Sequence, residues 1–351
     1  MRYIIHKLNG EEKLAAIAAK YHTTEAKIKE LNPDAHIFRA FPWEPFTVGW
    51  NEKLKIPVEG EEEKISLETV KYNKEIKYRC EQNVISKING IIQNHANTKQ
   101  EFVVKKRQSP DNLIVNTELT DNIIEIYPPQ LTEAMKLLSD LELVKCNAVL
   151  YVDSETGKMD RILNHDEIVK QWRNHKAKLQ EKYGFIRSPQ TREELNKFIT
   201  LAENQIINER SLIQDLNTKL FFNLLFDKYL VTNSKLFEPY TKKFQSHLFE
   251  NTKVNFTFKQ EILSETEDKV NVMKTGAWDK KENSLATVEK MYDEKYKPFI
   301  KYKFSDYSYK YNVNYIINTK EHWIETAEVM IMEEVINNIQ IGISFNLKKI
   351  E

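Results

Sequence analysis

The stretch Tyr307-Ser308-Tyr309-Lys310-Tyr311-Asn312-Val313-Asn314-Tyr315-Ile316-Ile317 sets large apolar-bodied residues at alternate positions. That period is the mark of a strand with one face turned inward. Tyr307, Tyr309, Tyr311 and Tyr315 share that face with Val313. A tyrosine face of this kind either lines a ligand cavity in a curved sheet or packs as core. Working outward, Tyr302 to Ile317, Trp323 to Met332 and Ile339 to Leu347 read as an antiparallel series. Val254 to Ile262 and Lys269 to Thr275 read as strands before it, and Leu285 to Tyr296 as a helix.

Farther upstream the same style recurs. Lys77 to Ile88 and Gln100 to Lys106 are expected strands, with Ile91 to Thr98 as a polar connection, and Leu113-Ile114-Val115 and Ile123 to Tyr127 continue the series. Pro128-Pro129 opens a helix with Leu131, Met135, Leu138 and Leu141 on one face. A hairpin over 149–163 turns at Asp153 to Gly157, where glycine supplies a left-handed backbone angle. Asn164-His165-Asp166 is expected to cap a helix that runs through Trp172 to Tyr183. Residues 189–231 are helical, and Leu220 to Phe226, apolar all round, marks a buried helix or a partner surface. The class is α+β. The expected divisions are residues 1–58, an α+β segment at 65–186, a helical segment at 187–250, and a β-rich segment with one helix at 251–351.

Composition excludes several chemistries. The 351 residues carry 52 basic and 52 acidic side chains, and neutrality without a basic stripe argues against nucleic acid. The closest two of the eight glycines, Gly49 and Gly60, are too far apart for a dinucleotide loop, a phosphate loop or a nucleophile elbow. The closest histidines, His165 and His175, do not sit at helical ligand spacing, so no metal site and no cofactor is expected. Two cysteines, Cys80 and Cys146, read as reduced thiols. The start, Met1-Arg2-Tyr3-Ile4-Ile5-His6-Lys7, lacks the apolar core of a secretory leader, and no uncharged run reaches membrane-spanning length. A cytoplasmic protein with no membrane partner is expected.

The N-terminal module is the most specific part. Tyr3-Ile4-Ile5 is a short strand, and Leu14, Ile17, Ala18 and Tyr21 form a helical stripe. Thr23-Thr24 looks like an N-cap for a second helix carrying Ala26, Ile28 and Leu31, which Asn32-Pro33 stops. Leu54-Lys55-Ile56-Pro57 closes with a strand that proline terminates. The order is β-α-α-β, with Leu14, Ile17, Ile28, Leu31, Leu54 and Ile56 as its expected core.

Four of these stretches resemble the LysM domain: Leu14-Ala15-Ala16-Ile17-Ala18, Lys20-Tyr21-His22-Thr23-Thr24, Ile28-Lys29-Glu30-Leu31-Asn32-Pro33 and Leu54-Lys55-Ile56-Pro57. The resemblance covers residues 2–57. It implies a shallow groove for the N-acetylglucosamine backbone of peptidoglycan or chitin, here at Asn9, Gly10, Glu11, Asn32, Pro33 and Asp34. Two departures stand out. The first loop has become Gly10-Glu11-Glu12-Lys13, without the hydroxyl that normally caps the helix. The second carries an insertion, Asp34 to Thr47, rich in aromatic rings. Phe38, Phe41, Trp43 and Phe46, with nearby Trp50, are either a docking surface for another protein or an internal contact.

LysM-like domains without a leader are familiar in contractile injection machines, including type VI secretion systems. The resemblance therefore implies a non-enzymatic adaptor with a protein partner, a spike, baseplate or effector component, and export, if any, by such a machine. The alternatives are a peptidoglycan-binding protein or delivered toxin acting at the cell wall, and a hydrolase with its site in the body.

Overall fold

The computed structural model describes residues 3–8, 11–33, 35, 37–38, 45–48, 53–57, 71–108, 112–183, 188–231, 238–249, 252–279 and 284–350. The chain divides into two compact units, Met1–Thr69 and Val70–Glu351.

In the first unit β1 (Tyr3–Lys7) pairs antiparallel with β5 (Lys53–Pro57), with Ile4 opposite Ile56. Between them lie β2 (Glu12–Lys13), α1 (Leu14–Lys20), α2 (Glu25–Leu31), β3 (Ile37–Phe38) and β4 (Thr47–Val48). Thr24 caps α2 by accepting from the Lys27 amide (3.3 Å), while α1 starts without a side-chain cap, as its missing hydroxyl foretells. Leu14, Ile17, Ile28, Leu54 and Ile56 are buried together with Leu8, Ala18 and Val48. Leu31, expected in that core, is half-buried, and Ala26 is exposed. The sequence reading missed a second sheet, ordered β2-β4-β3, which takes both ends of the insertion into the unit.

Among the described residues the second unit is one antiparallel sheet of eleven strands covered by helices on one face. Its strands are β6 (Lys74–Ile88), β7 (Ile91–Gln108), β8 (Leu113–Tyr127), β9 (Ala148–Val152), β10 (Met159–Ile162), β11 (Tyr240–Gln245), β12 (Lys253–Glu265), β13 (Lys269–Trp278), β14 (Tyr307–Asn318), β15 (Trp323–Val335) and β16 (Ile339–Lys349). Their order is β10-β9-β8-β7-β6-β16-β15-β14-β13-β12-β11. The segments 65–186 and 251–351, expected as separate divisions, are thus joined in mid-sheet, where β6 and β16 pair from Ile339–Ile88 to Lys349–Tyr78. The first and last strands of the unit bury each other's edges, and the boundaries at 186/187 and 250/251 separate nothing.

Ile91 to Thr98 is strand and not a connection. β6 and β7 form a long hairpin whose two-residue turn is Asn89-Gly90, at φ 50° and 78°. Positive φ at both turn positions matches the right-handed twist of the flanking strands, and Asn-Gly supplies it at little cost.

The two sheet edges, β10 and β11, are connected through α4 (His165–Lys182), α5 (Pro189–Ile207), α6 (Glu209–Thr218) and α7 (Leu220–Leu225). These helices must cross one face of the sheet, and they share a single apolar core with it. Phe221 of α7 stacks on Phe102 of β7 at 3.8 Å and meets Tyr78 of β6 edge-on at 6.0 Å, so the apolar run at 220–226 is core. α3 (Thr132–Lys145) lies along the part of β8 that β9 leaves unpaired, where Ser139 Oγ donates to the Asn122 carbonyl (3.4 Å). α8 (Leu285–Lys295) and α9 (Lys297–Ile300) complete the unit.

Asn164 precedes α4, but its side chain caps nothing. Its Oδ1 accepts from the Val149 amide (2.8 Å) and its Nδ2 donates to the Asn147 carbonyl (3.0 Å), fastening the helix start to β9.

The sheet is strongly curled. Flat, the eight steps from β10 to β13 at ~4.8 Å each would span about 38 Å. Yet one carboxylate, Asp227, binds both Lys158, on the turn joining β9 to β10, and Lys274 of β13, each at 3.0 Å.

Candidate functional site

In the first unit, the predicted groove residue Asn32 is committed to the fold. Its Nδ2 donates to the carbonyls of Ile28 and Lys55 (both 2.7 Å), and its Oδ1 accepts from the Lys55 amide (2.8 Å). It ties the end of α2 to β5. Glu11 and Pro33 are exposed; Asn9, Gly10 and Asp34 lie outside the described residues. Of the insertion, Phe46 packs half-buried on this unit's core beneath the Lys29 ammonium, and its carbonyl accepts from the Leu14 amide (2.7 Å). Phe38 is 36% exposed. Phe41, Trp43 and Trp50 lie outside the described residues. His6, buried, donates from Nε2 to Glu12 (3.0 Å) and sits 2.9 Å from the Tyr21 hydroxyl, which ties β1, β2 and α1 together.

The second unit holds a cavity of about 250 Å³ at the place where the curled sheet brings its edges together. Its apolar wall is Tyr240 and Phe244 of β11, Phe258 of β12, Tyr311 of β14, and Leu224 of α7. Tyr240 stacks on Phe258 at 5.1 Å, and Tyr311 stands edge-on to Phe258 at 5.5 Å. The tyrosine series divides between core and cavity wall. Tyr307 and Tyr309 are core, while Tyr311 lines the cavity.

The polar wall is cationic. Lys158, Lys242 and Lys274 line it together with Asp227, and Lys228 and Glu238 belong to the same lining. Asp227 accepts from Lys158 and Lys274 (3.0 Å each) and from the Lys228 amide (2.9 Å), and Lys158 also donates to the Phe226 carbonyl (2.9 Å). Burial opposes the charge on Asp227, but the two lysines outweigh it and hold the carboxyl well below its ordinary pKa. Burial likewise opposes the Lys274 charge, and Asp227 outweighs it. Lys242 differs. Among the described residues its ammonium has no oxygen partner and lies 5.1 Å from the Phe244 ring. Burial first, then the charges of Lys158 and Lys274, push it down to about 8 against the pull of Asp227.

Gly157 makes this arrangement sterically feasible. It takes φ 69°, and a Cβ there would overlap the Asp227 carbonyl.

Other buried charges are tied off in structural networks. Lys145 and Lys219 meet Glu142 and Asp215 at 2.6–3.6 Å, two against two, joining α3 to α6. Glu333, fully buried, accepts from Ser246 Oγ (2.5 Å), Tyr307 OH (2.6 Å) and the amides of His247 (2.6 Å) and Leu248 (3.2 Å). Among the described residues no group of three or more His, Cys, Asp or Glu is placed to hold a metal ion, and no helix is long and apolar enough to cross a membrane.

The sequence reading passed over Lys158, Asp227, Lys242 and Lys274. A signal for one was present: Val270, Val272, Lys274, Gly276 and Trp278 alternate on the buried face of β13, so Lys274 stands where an apolar residue belongs. A lysine there needs a buried partner.

No family model matches the chain, and no curated protein matches it. Among solved structures, one concerned with lipid–protein interactions in lipovitellin aligns with 80% of this chain at 12% identity and a TM-score of 0.39. The aligned part is 25% of that chain, so this protein spans a quarter of its length. A likeness that low fixes neither fold family nor ligand.

Proposed function

We propose that this is a non-enzymatic binding protein, an adaptor in which a LysM-like head docks protein components and the body receives a small ligand in the cavity between its sheet edges. The observation that carries the reading is that cavity. It joins a wall of stacked rings to charges fixed by ion pairs, of which Lys274 is buried, the combination typical of ligand sites. Its volume of about 250 Å³ lies below the ~300–1,000 Å³ of drug-sized sites, which calls for a compact occupant. The pairing of β1 with β5 around α1 and α2, over a core of Leu14, Ile17, Ile28, Leu54 and Ile56, supports the LysM-like reading of the head. Asn32, spent on β5, favours docking over sugar binding there. The sequence resemblance suggests a spike, baseplate or cargo component of a contractile injection machine as the partner.

Native mass spectrometry of the full chain purified from its host tests the body. One small molecule should be retained in stoichiometric amount and lost from the cavity-filling variant Gln260→Trp; equal retention by a folded Gln260→Trp refutes the site. For the head, Phe41→Ala with Trp43→Ala should abolish co-purification of the partner at an unchanged melting temperature. Undiminished co-purification removes the docking surface from these rings.

A further inference from the structure

Taking the cavity as a receptor site, on which this inference rests, we propose that its ligand is a compact organic anion with a flat apolar body, whose carboxylate is received by Lys242. Among the described residues four lysines line the cavity, Lys158, Lys228, Lys242 and Lys274, against two carboxylates, Asp227 and Glu238. Lys158 and Lys274 share Asp227, whereas the Lys242 ammonium faces the cavity wall with no oxygen partner among the described residues. Lys242 is half-buried, and a cation drawn partly out of water without an anion is a costly arrangement that a ligand oxygen would relieve. The opposite polarity fits poorly. A cationic ligand would have to compete for Asp227 with two lysines already in place, and a neutral one would leave Lys242 uncompensated.

The body of the ligand follows from the other wall. Tyr240, Phe244, Phe258 and Tyr311 present ring faces and edges, and aromatic surfaces favour flat partners in stacked or edge-on contact.

Protonation gives a signature that simple packing would not. Facing Lys242 are Lys158 from the β9–β10 turn, Asp227 and Lys228 from the segment after α7, Glu238 and Tyr240 at the start of its own strand, Lys274 from β13 and Tyr311 from β14. With the ammonium at about 8, an arriving carboxylate binds its protonated form and raises its proton affinity. Carboxylate affinity should therefore hold below pH 8 and fall as pH rises through it.

The isosteric pair 1-naphthoate and 1-naphthamide tests this on the full chain by calorimetry between pH 6.5 and 9.5. The expected result is naphthoate bound at least tenfold more tightly than the amide at pH 7, with that preference shrinking above pH 8 and the amide unaffected. Lys242→Gln should level the two affinities while keeping the amide site, and Lys242→Arg should restore the preference at all these pH values. Equal affinities in the wild type, or a preference that survives Lys242→Gln, overturn the anion assignment and leave the cavity reading standing. Failure of both probes at millimolar concentration overturns the cavity reading and the anion assignment with it. Should Lys242→Gln fail to fold, the wild-type preference and its pH dependence still decide.

Discussion

Removing the Glu333 carboxylate should be among the most damaging single changes in the second unit, and the hydrogen-bond geometry sets the scale. Four donors converge on it, Ser246 Oγ and Tyr307 OH on Oε1 and the His247 and Leu248 amides on Oε2. In Glu333→Ala the two hydroxyls can turn toward other acceptors, but the two amides are fixed by the backbone. A buried donor left without an acceptor costs about 1–3 kcal/mol, so the fixed pair alone sets a loss of about 2–6 kcal/mol. Glu333→Gln is the informative control. Its carbonyl oxygen can serve the amides while its NH₂ faces the hydroxyls, which can accept as well as donate. That variant loses only the charge assistance, roughly halving bonds of this kind, and should cost about 1–2 kcal/mol. Urea unfolding followed by tryptophan fluorescence separates the two, and hydrogen exchange should show the 246–249 segment opening first in Glu333→Ala. Wild-type stability in Glu333→Ala, or equal damage from Gln and Ala, would refute the argument from donor count.

Three further outcomes are expected. Gly157→Ala must hold an L-residue at φ 69° and press its Cβ onto the Asp227 carbonyl, so it should cost at least about 2 kcal/mol in thermal or urea unfolding. Ile17→Asp places an unpaired charge at a position only 1% exposed and should unfold the first unit, seen as collapse of its amide dispersion by NMR while the second unit keeps its spectrum. Lys106, buried against the Trp323 ring at 4.4 Å, is pushed down to about 8, first by burial and then by Lys74. Below pH 8 both folded and unfolded chains hold this proton; between 8 and 10.5 the unfolded chain holds it more. Stability should therefore rise with pH across that window by an amount capped at about 3 kcal/mol, relative to a Lys106→Met variant measured in parallel.

How much of this was readable from residues alone depends on the faces. The central strands β14 and β15 alternate cleanly because one face is roofed by helices and the other is wet. The far halves of β6 and β7 do not. Residues 81–88 and 91–100 are half-buried or exposed on both faces, so no period of two is written there, and polar Gln93, Asn94 and Asn97 make strand look like loop. The Asn-Gly turn was the readable sign that these residues pair. Buried charges were readable as interruptions of an apolar face. Val329, Ile331, Glu333 and Val335 carry one in β15, and Phe102, Val104 and Lys106 carry another in β7. What each interruption pairs with was not readable, since Glu333 finds Ser246 and Lys274 finds Asp227, 87 and 47 residues away.

That long reach follows from the shape of the sheet. An open sheet of eleven strands has two edges whose backbone groups invite pairing with other chains, a hazard that closure would remove. Here the edges approach under the crossing helices with no strand-to-strand pairing among the described residues, and side chains occupy the seam instead. Lys158 reaches in from the turn of the β9–β10 hairpin, Lys274 comes from near the other edge, and Asp227, just past the last crossing helix, meets both. A seam closed by side chains leaves gaps that a continuous hydrogen-bond ladder would not, and the cavity is such a gap. Its lining must then come from segments that meet only at the seam, from Lys158 to Tyr311, which no local motif can encode. Charge is the fitting way to close it, because one carboxylate held between two ammonium groups fixes a point of contact without demanding strand register. The seam's own chemistry leaves the Lys242 ammonium without an oxygen partner among the described residues.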